Sequence, residues 1–143
     1  MNEDVPSLAR LRSTSKDEVS FWENRIARYL AGIHNPQKAL PQRVIFVAEI
    51  DGALAGFIAG QLTTRYDCEG EVQWLDVDPS LRRKKTGSTL VQVLAKWFIE
   101  NHAYKVCVDP GNEAARLFYF ANGATDLNAH WMYWKNIKQI LVK

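Results

Sequence analysis

The chain reads as a mixed α/β protein built on a central sheet, and three observations predict that class. Asp51-Gly52 separates two β-rich runs, the turn chemistry of a tight antiparallel hairpin. Further along, a strand, a basic loop, an amphipathic stretch and a second apolar strand follow one another in β-α-β order between Glu71 and Val108. Finally, 143 residues with 47% hydrophobic and 24% charged side chains suit one domain over residues 1–143. A chain of that length buries roughly 70% of its unfolded surface and needs neither disulfides nor a metal to build a core.

Each element has its own signal. Leu8 and Leu11 share one face of a short helix over Val5 to Arg12. Ser15 and Glu18 have capping-box spacing, and Val19, Trp22, Ile26, Tyr29 and Leu30 recur helically until Gly32 and Pro36, which predicts a helix over 17–31. Arg43 to Ile50 and Leu54 to Thr64 form the hairpin strands. An acidic loop, Tyr66 to Gly70, leads into a strand from Glu71 to Val77 that stops at Asp78-Pro79. The loop Arg82 to Thr86 then enters a helix through Gly87, with Leu90, Val91, Leu94, Trp97 and Phe98 on its apolar face and an end near Asn101. Tyr104 to Val108 is a short strand, Pro110-Gly111 a turn, and Asn112 an N-cap for a helix reaching Asn122-Gly123. Trp131 to Lys135 closes the sheet.

Composition excludes several classes. Eighteen Lys and Arg against sixteen Asp and Glu give a net charge of +2, too little bulk attraction for a nucleic-acid binder. The longest apolar stretch, Ala53 to Gly60, falls short of the roughly 18 residues of a membrane span, and no apolar leader follows Glu3 and Asp4. Cys68 and Cys107, like His34, His102 and His130, match no metal-ligand spacing. The expectation is a reduced, cytoplasmic protein without metal, nucleic-acid or membrane partners. Cys107 belongs in the core, and Cys68, in an acidic loop, is expected to have a raised pKa that argues against a nucleophile.

The chemistry concentrates in Trp74 to Ser88. A strand that ends in a turn, a cationic loop and a helix start gathers free N–H groups and the positive helix end at one spot, which suits a phosphate. Neither G-x-x-x-x-G-K-[ST] nor G-x-G-x-x-G occurs, so a nucleoside triphosphate or dinucleotide is disfavoured. Ser13 to Lys16 and Lys85-Thr86-Gly87 imitate two β-lactamase motifs, but S-D-N is missing and the chain is too short.

With Val77, Pro79, Arg82 and Gly87, this segment resembles the signature V-x-P-x-x-[QR]-x-x-G-x-[GA] of the GNAT superfamily of acyl-CoA-dependent N-acyltransferases. Lys85 stands where the signature has its first glycine. Asn112 to Tyr119 resembles the family's N-x-x-A-x-x-x-Y segment, and the likeness spans about Arg43 to Trp134. It implies a central mixed sheet splayed in the middle, about four flanking helices, and a first strand that is short or missing. It further implies acetyl-CoA as cosubstrate, with backbone groups of Leu75, Asp76 and Val77 along the pantetheine, and the pyrophosphate on Arg82, Arg83, Lys84, Lys85, Thr86, Gly87 and Ser88. Asn112 would touch the pantetheine arm.

Acetyl transfer to an amine requires the ammonium to lose a proton and the departing thiolate to gain one. By resemblance, Glu71 is the base, acting through a water, and Tyr119 the acid, with direct attack in a ternary complex. Asp76 is an alternative base, which strict strand alternation would place on the face opposite Glu71. The acceptor groove would lie among the first long helix with Trp22, the loop His34 to Gln42, and the last strand with Trp131 and Trp134. Asp67, Glu69 and Glu71 at its mouth hint at a cationic small-molecule or peptide amine, and the family leaves room for a homodimer. At Lys85 two accounts stand: strain in the loop, or an ammonium replacing a close amide contact, of which the second is favoured. A non-catalytic acyl-CoA-binding module with a decayed phosphate loop is the alternative reading, and a small RNA-binding domain a third that would need a wider cationic face.

Overall fold

The computed structural model describes residues 4–13, 15–80 and 85–141. Helices α1 (Val5–Arg12) and α2 (Val19–Leu30) precede a hairpin of β1 (Ala39–Ile50) and β2 (Ala53–Thr63). Strand β3 (Gly70–Val77), helix α3 (Thr86–Glu100), strand β4 (Val106–Val108), helix α4 (Glu113–Ala121) and the short strands β5 (Thr125–Asp126) and β6 (Met132–Trp134) complete the order. Among the described residues six strands form one sheet, β1-β2-β3-β4-β6-β5, in which only β3 and β4 run parallel. A mixed sheet with four helices is therefore present, and the described chain opens on a helix rather than a strand.

The elements differ from the sequence expectation mainly at their ends. Helix α2 starts at Val19 because Glu18 N–H donates to the Ser15 carbonyl, making residues 16–18 a 3₁₀ turn. Strand β1 begins at Ala39, four residues early, with its register broken between Ala39 and Arg43, around Pro41. The two-residue β5 and the 3₁₀ turn Ile137–Leu141 carried no readable period.

Two apolar layers sandwich the sheet. Leu8, Ile26 and Tyr29 of α1 and α2 meet Ile45, Phe57, Ala59 and Trp74 on one face. On the other, Leu90, Leu94 and Phe98 of α3 meet Ile58, Val72, Val106 and Met132, with Tyr119 and Trp134 in the same cluster. Gly70 sets the approach of α3: a Cβ there would lie 2.5 Å from Phe98 Cε1. Cys68 and Cys107 are both buried beside each other. The Cys107 thiol lowers the pKa of Cys68 by hydrogen bonding, opposite to the rise expected from its acidic loop, while that bond and burial raise Cys107. No helix among the described residues is long and apolar enough to cross a membrane.

One irregularity matters most for the site. Ala59 pairs with Trp74 and Gly60 with Val72, so Gln73 is an extra residue, a β-bulge in β3. A bulge shifts the side-chain alternation by one. Glu71, opposite Gln61, and Asp76, opposite Phe57, consequently lie on the same face of the sheet, the one covered by α1 and α2. This corrects the expectation that alternation would separate them.

Candidate active site

Strands β3 and β4 pair at only three positions, Gly70 with Val106, Glu71 with Cys107 and Val72 with Val108. Strand β3 continues to Val77 while β4 ends, so among the described residues the edge of β3 turned away from β2 has no strand partner from Gln73 onward. Asp78 N–H donates to Ala55 O at 2.7 Å, which fixes the alternation of the β2–β3 ladder. Asp76 and Trp74 direct their backbone groups to β2, and Leu75 and Val77 direct theirs into the splay. Leu75 and Val77, which the resemblance gives as backbone contacts of the pantetheine, thus border the splay, whereas the backbone of Asp76 faces β2. The carboxylate of Asp76 instead pairs with Arg12 Nη1 at 3.0 Å.

The splay opens into a cleft of about 960 Å³ lined by β3, the end of β4, helix α4 from its Asn112 cap to Tyr119, the start of α3 and the loop after α2. At its deep end Glu71 is 4% exposed, and Arg65 Nε donates to its Oε1 at 3.0 Å. Burial raises the pKa of Glu71 above the carboxylate range, and the Arg65 charge, with hydrogen bonds from Arg65 and Thr63, offsets part of that rise. Arg65 in turn lies 4.5 Å over the Trp131 ring and donates from Nη2 to Gln37 O at 2.9 Å. Across the cleft Tyr119 is buried against Phe118 and Trp134, and burial first, then Asp76, raises its pKa, so the phenol keeps its proton.

At the helix α3 start, Lys85 is exposed and adopts φ 59°, ψ 21°, the left-handed conformation a glycine takes without cost. The strain account of Lys85 is therefore visible in the backbone. Its side chain, Thr86 and Ser88 lie outside the cleft lining, and Thr86 is buried. The first intrahelical bond runs from Thr89 N–H to Lys85 O, and among the described residues no side chain caps this end, so the N–H groups of Thr86, Gly87 and Ser88 have no helical acceptors. Gly87 lines the cleft, and a Cβ there would stand 3.1 Å from Phe118. Arg82, Arg83 and Lys84 fall outside the described residues. Asn112 lines the cleft and caps α4 through Oδ1, which accepts from Ala115 N–H at 2.8 Å, so Nδ2 takes no part in the cap.

The acceptor end departs from the sequence reading in three respects. Trp22 does not line the cleft; it packs edge-on against Trp74 at 5.8 Å, under the Arg12 guanidinium. Trp134 is core, its Nε1 donating to Asn122 O, while Trp131 does line the cleft. Of the three acids at the supposed mouth only Glu71 faces inward: Asp67 is exposed, and Glu69 accepts from the N–H groups of Tyr104 and Lys105 at the far end of the sheet. Arg12, Arg25, Arg65 and the Tyr29–Gln61–Gln73 hydrogen-bond chain were missed. Their partners come from distant segments, and no local spacing signals them. Among the described residues no group of three or more His, Cys, Asp or Glu could hold a metal ion.

Among the described residues, a splayed parallel pair with backbone groups along its open edge and a helix start beside it have the chemistry of an acyl-CoA-type site. The model of the acetyltransferase (GNAT) family matches residues 8–123, and the chain belongs to that family, as an acyltransferase. No curated protein matches it by sequence. Its fold is shared with the PaiA N-acetyltransferase of Thermoplasma acidophilum, solved with coenzyme A, at 21% identity and TM-score 0.65, covering 94% of both chains. Aminoglycoside 6'-acetyltransferase type Ii is similar at 20% identity and TM-score 0.71, over 95% of this chain and 89% of that one. The ribosomal-protein-S18-alanine N-acetyltransferase of Escherichia coli aligns at 15% identity and TM-score 0.65, over 94% and 88%.

Proposed function

We propose that the protein transfers an acetyl group from acetyl-CoA to the primary amine of a small molecule or peptide, by direct attack in a ternary complex. The observation that carries this reading is the free edge of β3 at Leu75 and Val77, opening into the cleft that Glu71 and Tyr119 line from two sides. The Leu75 and Val77 backbone would hold the pantetheine arm as a strand partner, and the Val77 N–H would polarise the thioester carbonyl. Asn112 Nδ2 would donate to the arm, and the free amides of Thr86 to Ser88 with Lys85 would take the pyrophosphate. Glu71 would remove the ammonium proton through a water, and Tyr119 would return one to the departing sulfur.

The left-handed backbone at Lys85 keeps the shape a glycine would give the loop, which favours a working phosphate site over a decayed one. Thiol release from acetyl-CoA with a panel of primary amines tests the reading. Acceptor-dependent release with both substrates entering the rate before any product leaves is the expected result. Binding of acetyl-CoA with no release against any amine class would leave a non-catalytic acyl-CoA-binding module.

A further inference from the structure

Among the described residues three arginines line the cleft, and two are neutralised inside it, Arg12 by Asp76 and Arg65 by Glu71, each at 3.0 Å. Arg25, on α2, is not. Its Nη1 donates to Nε2 of His34 at 3.1 Å and its guanidinium lies 5.2 Å over the ring of Phe21, both neutral partners. Among the described residues no carboxylate reaches it, and its Nε–Nη2 edge has no hydrogen-bond partner. Burial, then Arg25, Arg43 and Arg28 in that order, lower the pKa of His34, so the ring is neutral and its corner of the cleft is electropositive. Arg43 is not available to a ligand, since it ties down Tyr29 O, His34 O and Asn35 Oδ1.

Among the described residues the cleft also holds one carboxylate without a cationic partner. Asp109, just past β4, accepts only from Gly111 N–H at 3.1 Å among the described residues. A guanidinium fork open on one edge and a free carboxylate elsewhere in one cleft match a ligand with both charges. We infer that the acceptor is an amine that also carries a carboxylate, and that Arg25, braced by His34 and Phe21, is the specificity-determining residue that receives it. This rests on the amine-acetylation reading of the same cleft and narrows its substrate class.

The test compares ω-amino carboxylates of increasing chain length with their carboxamides and with aminoalkylphosphonates, on wild type, Arg25→Gln and Arg25→Lys. For wild type, kcat/KM for the best acid should exceed that for its amide by about tenfold to a hundredfold, the range of a charge-assisted bond. In Arg25→Gln the acid-to-amide ratio should fall to within about twofold of one, and in Arg25→Lys it should lie between, because the charge survives and the fork does not. A parallel titration of the CoA-loaded protein with the N-acetylated acid and amide reads the same ratio without turnover. That arm decides the subsite even if no amine is acetylated, in which case only the transferase reading fails. Equal treatment of acid and amide by wild type, or a preference that survives in a folded Arg25→Gln protein with wild-type melting temperature, overturns the inference. Better use of phosphonates than of carboxylates also overturns it, in favour of a phosphate-type anion.

Discussion

At Glu71 two opposed effects meet, burial pushing the pKa up and Arg65 pulling it down, and burial wins. The basic form accumulates only above that raised pKa, so the acidic limb of kcat/KM should lie at a higher pH than an ordinary carboxylate would give. In Glu71→Gln that limb disappears, turnover at neutral pH drops about 10²-fold to 10⁴-fold, and the rate recovers at high pH as the amine arrives neutral. Tyr119→Phe should lower turnover by a similar factor at all pH values, since the buried phenol stays protonated throughout the working range. Calorimetric titration should find acetyl-CoA affinity nearly unchanged in both. Lys85 separates strain from charge. Lys85→Gly should stabilise the protein without ligand by about 1 kcal/mol, seen in urea unfolding, because the left-handed backbone no longer opposes a side chain. Yet Lys85→Gly and Lys85→Ala should both bind CoA more weakly and with a flatter salt dependence than wild type. Tighter binding by Lys85→Gly would make the lysine a defect rather than a phosphate contact.

The helices and strands of the chemical half were legible because their punctuation is local. Asp51-Gly52 marked the hairpin, Asp78-Pro79 the end of β3, and Asn112 the start of α4, where it does cap. The β3 bulge was not legible. An extra residue at Gln73 leaves no mark in the strand's own pattern, and its hydrogen bond from Gln61, itself bound to Tyr29, joins segments far apart in sequence. That single residue decides that Glu71 and Asp76 share a face, and with it the arginine pairing of the cleft. The acidic cluster misled for a related reason: Glu69, just before β3, engages its carboxylate with N–H groups of the turn into β4, whose register the sequence does not display. Helix α4 offers a test of two roles in one residue. Asn112→Ala removes the cap, which should cost about 1 kcal/mol and lower the melting temperature by a few degrees. Asn112→Asp keeps the cap oxygen and should restore the melting temperature, while both variants weaken acetyl-CoA binding through the lost Nδ2.

Across the whole molecule the sheet is continuous at its β1-β2-β3 side and opens between β3 and β4, after only three paired positions. The two apolar layers hold the halves from opposite faces, α1 and α2 over the hairpin, α3 across to the β4 side, so the gap is a built feature rather than a fraying edge. Acetyl-CoA at 100 times its dissociation constant should stabilise this arrangement by roughly 2.7 kcal/mol. The central claim is narrower than binding, namely that the free edge of β3 takes the acyl carrier as a strand partner. Residue-resolved amide hydrogen exchange with and without saturating acetyl-CoA measures that edge directly. The account predicts strong new protection at Leu75 and Val77 and little change at Trp74 and Asp76, whose amides already face β2. Binding that leaves Leu75 and Val77 exchanging as fast as in the free protein would contradict it.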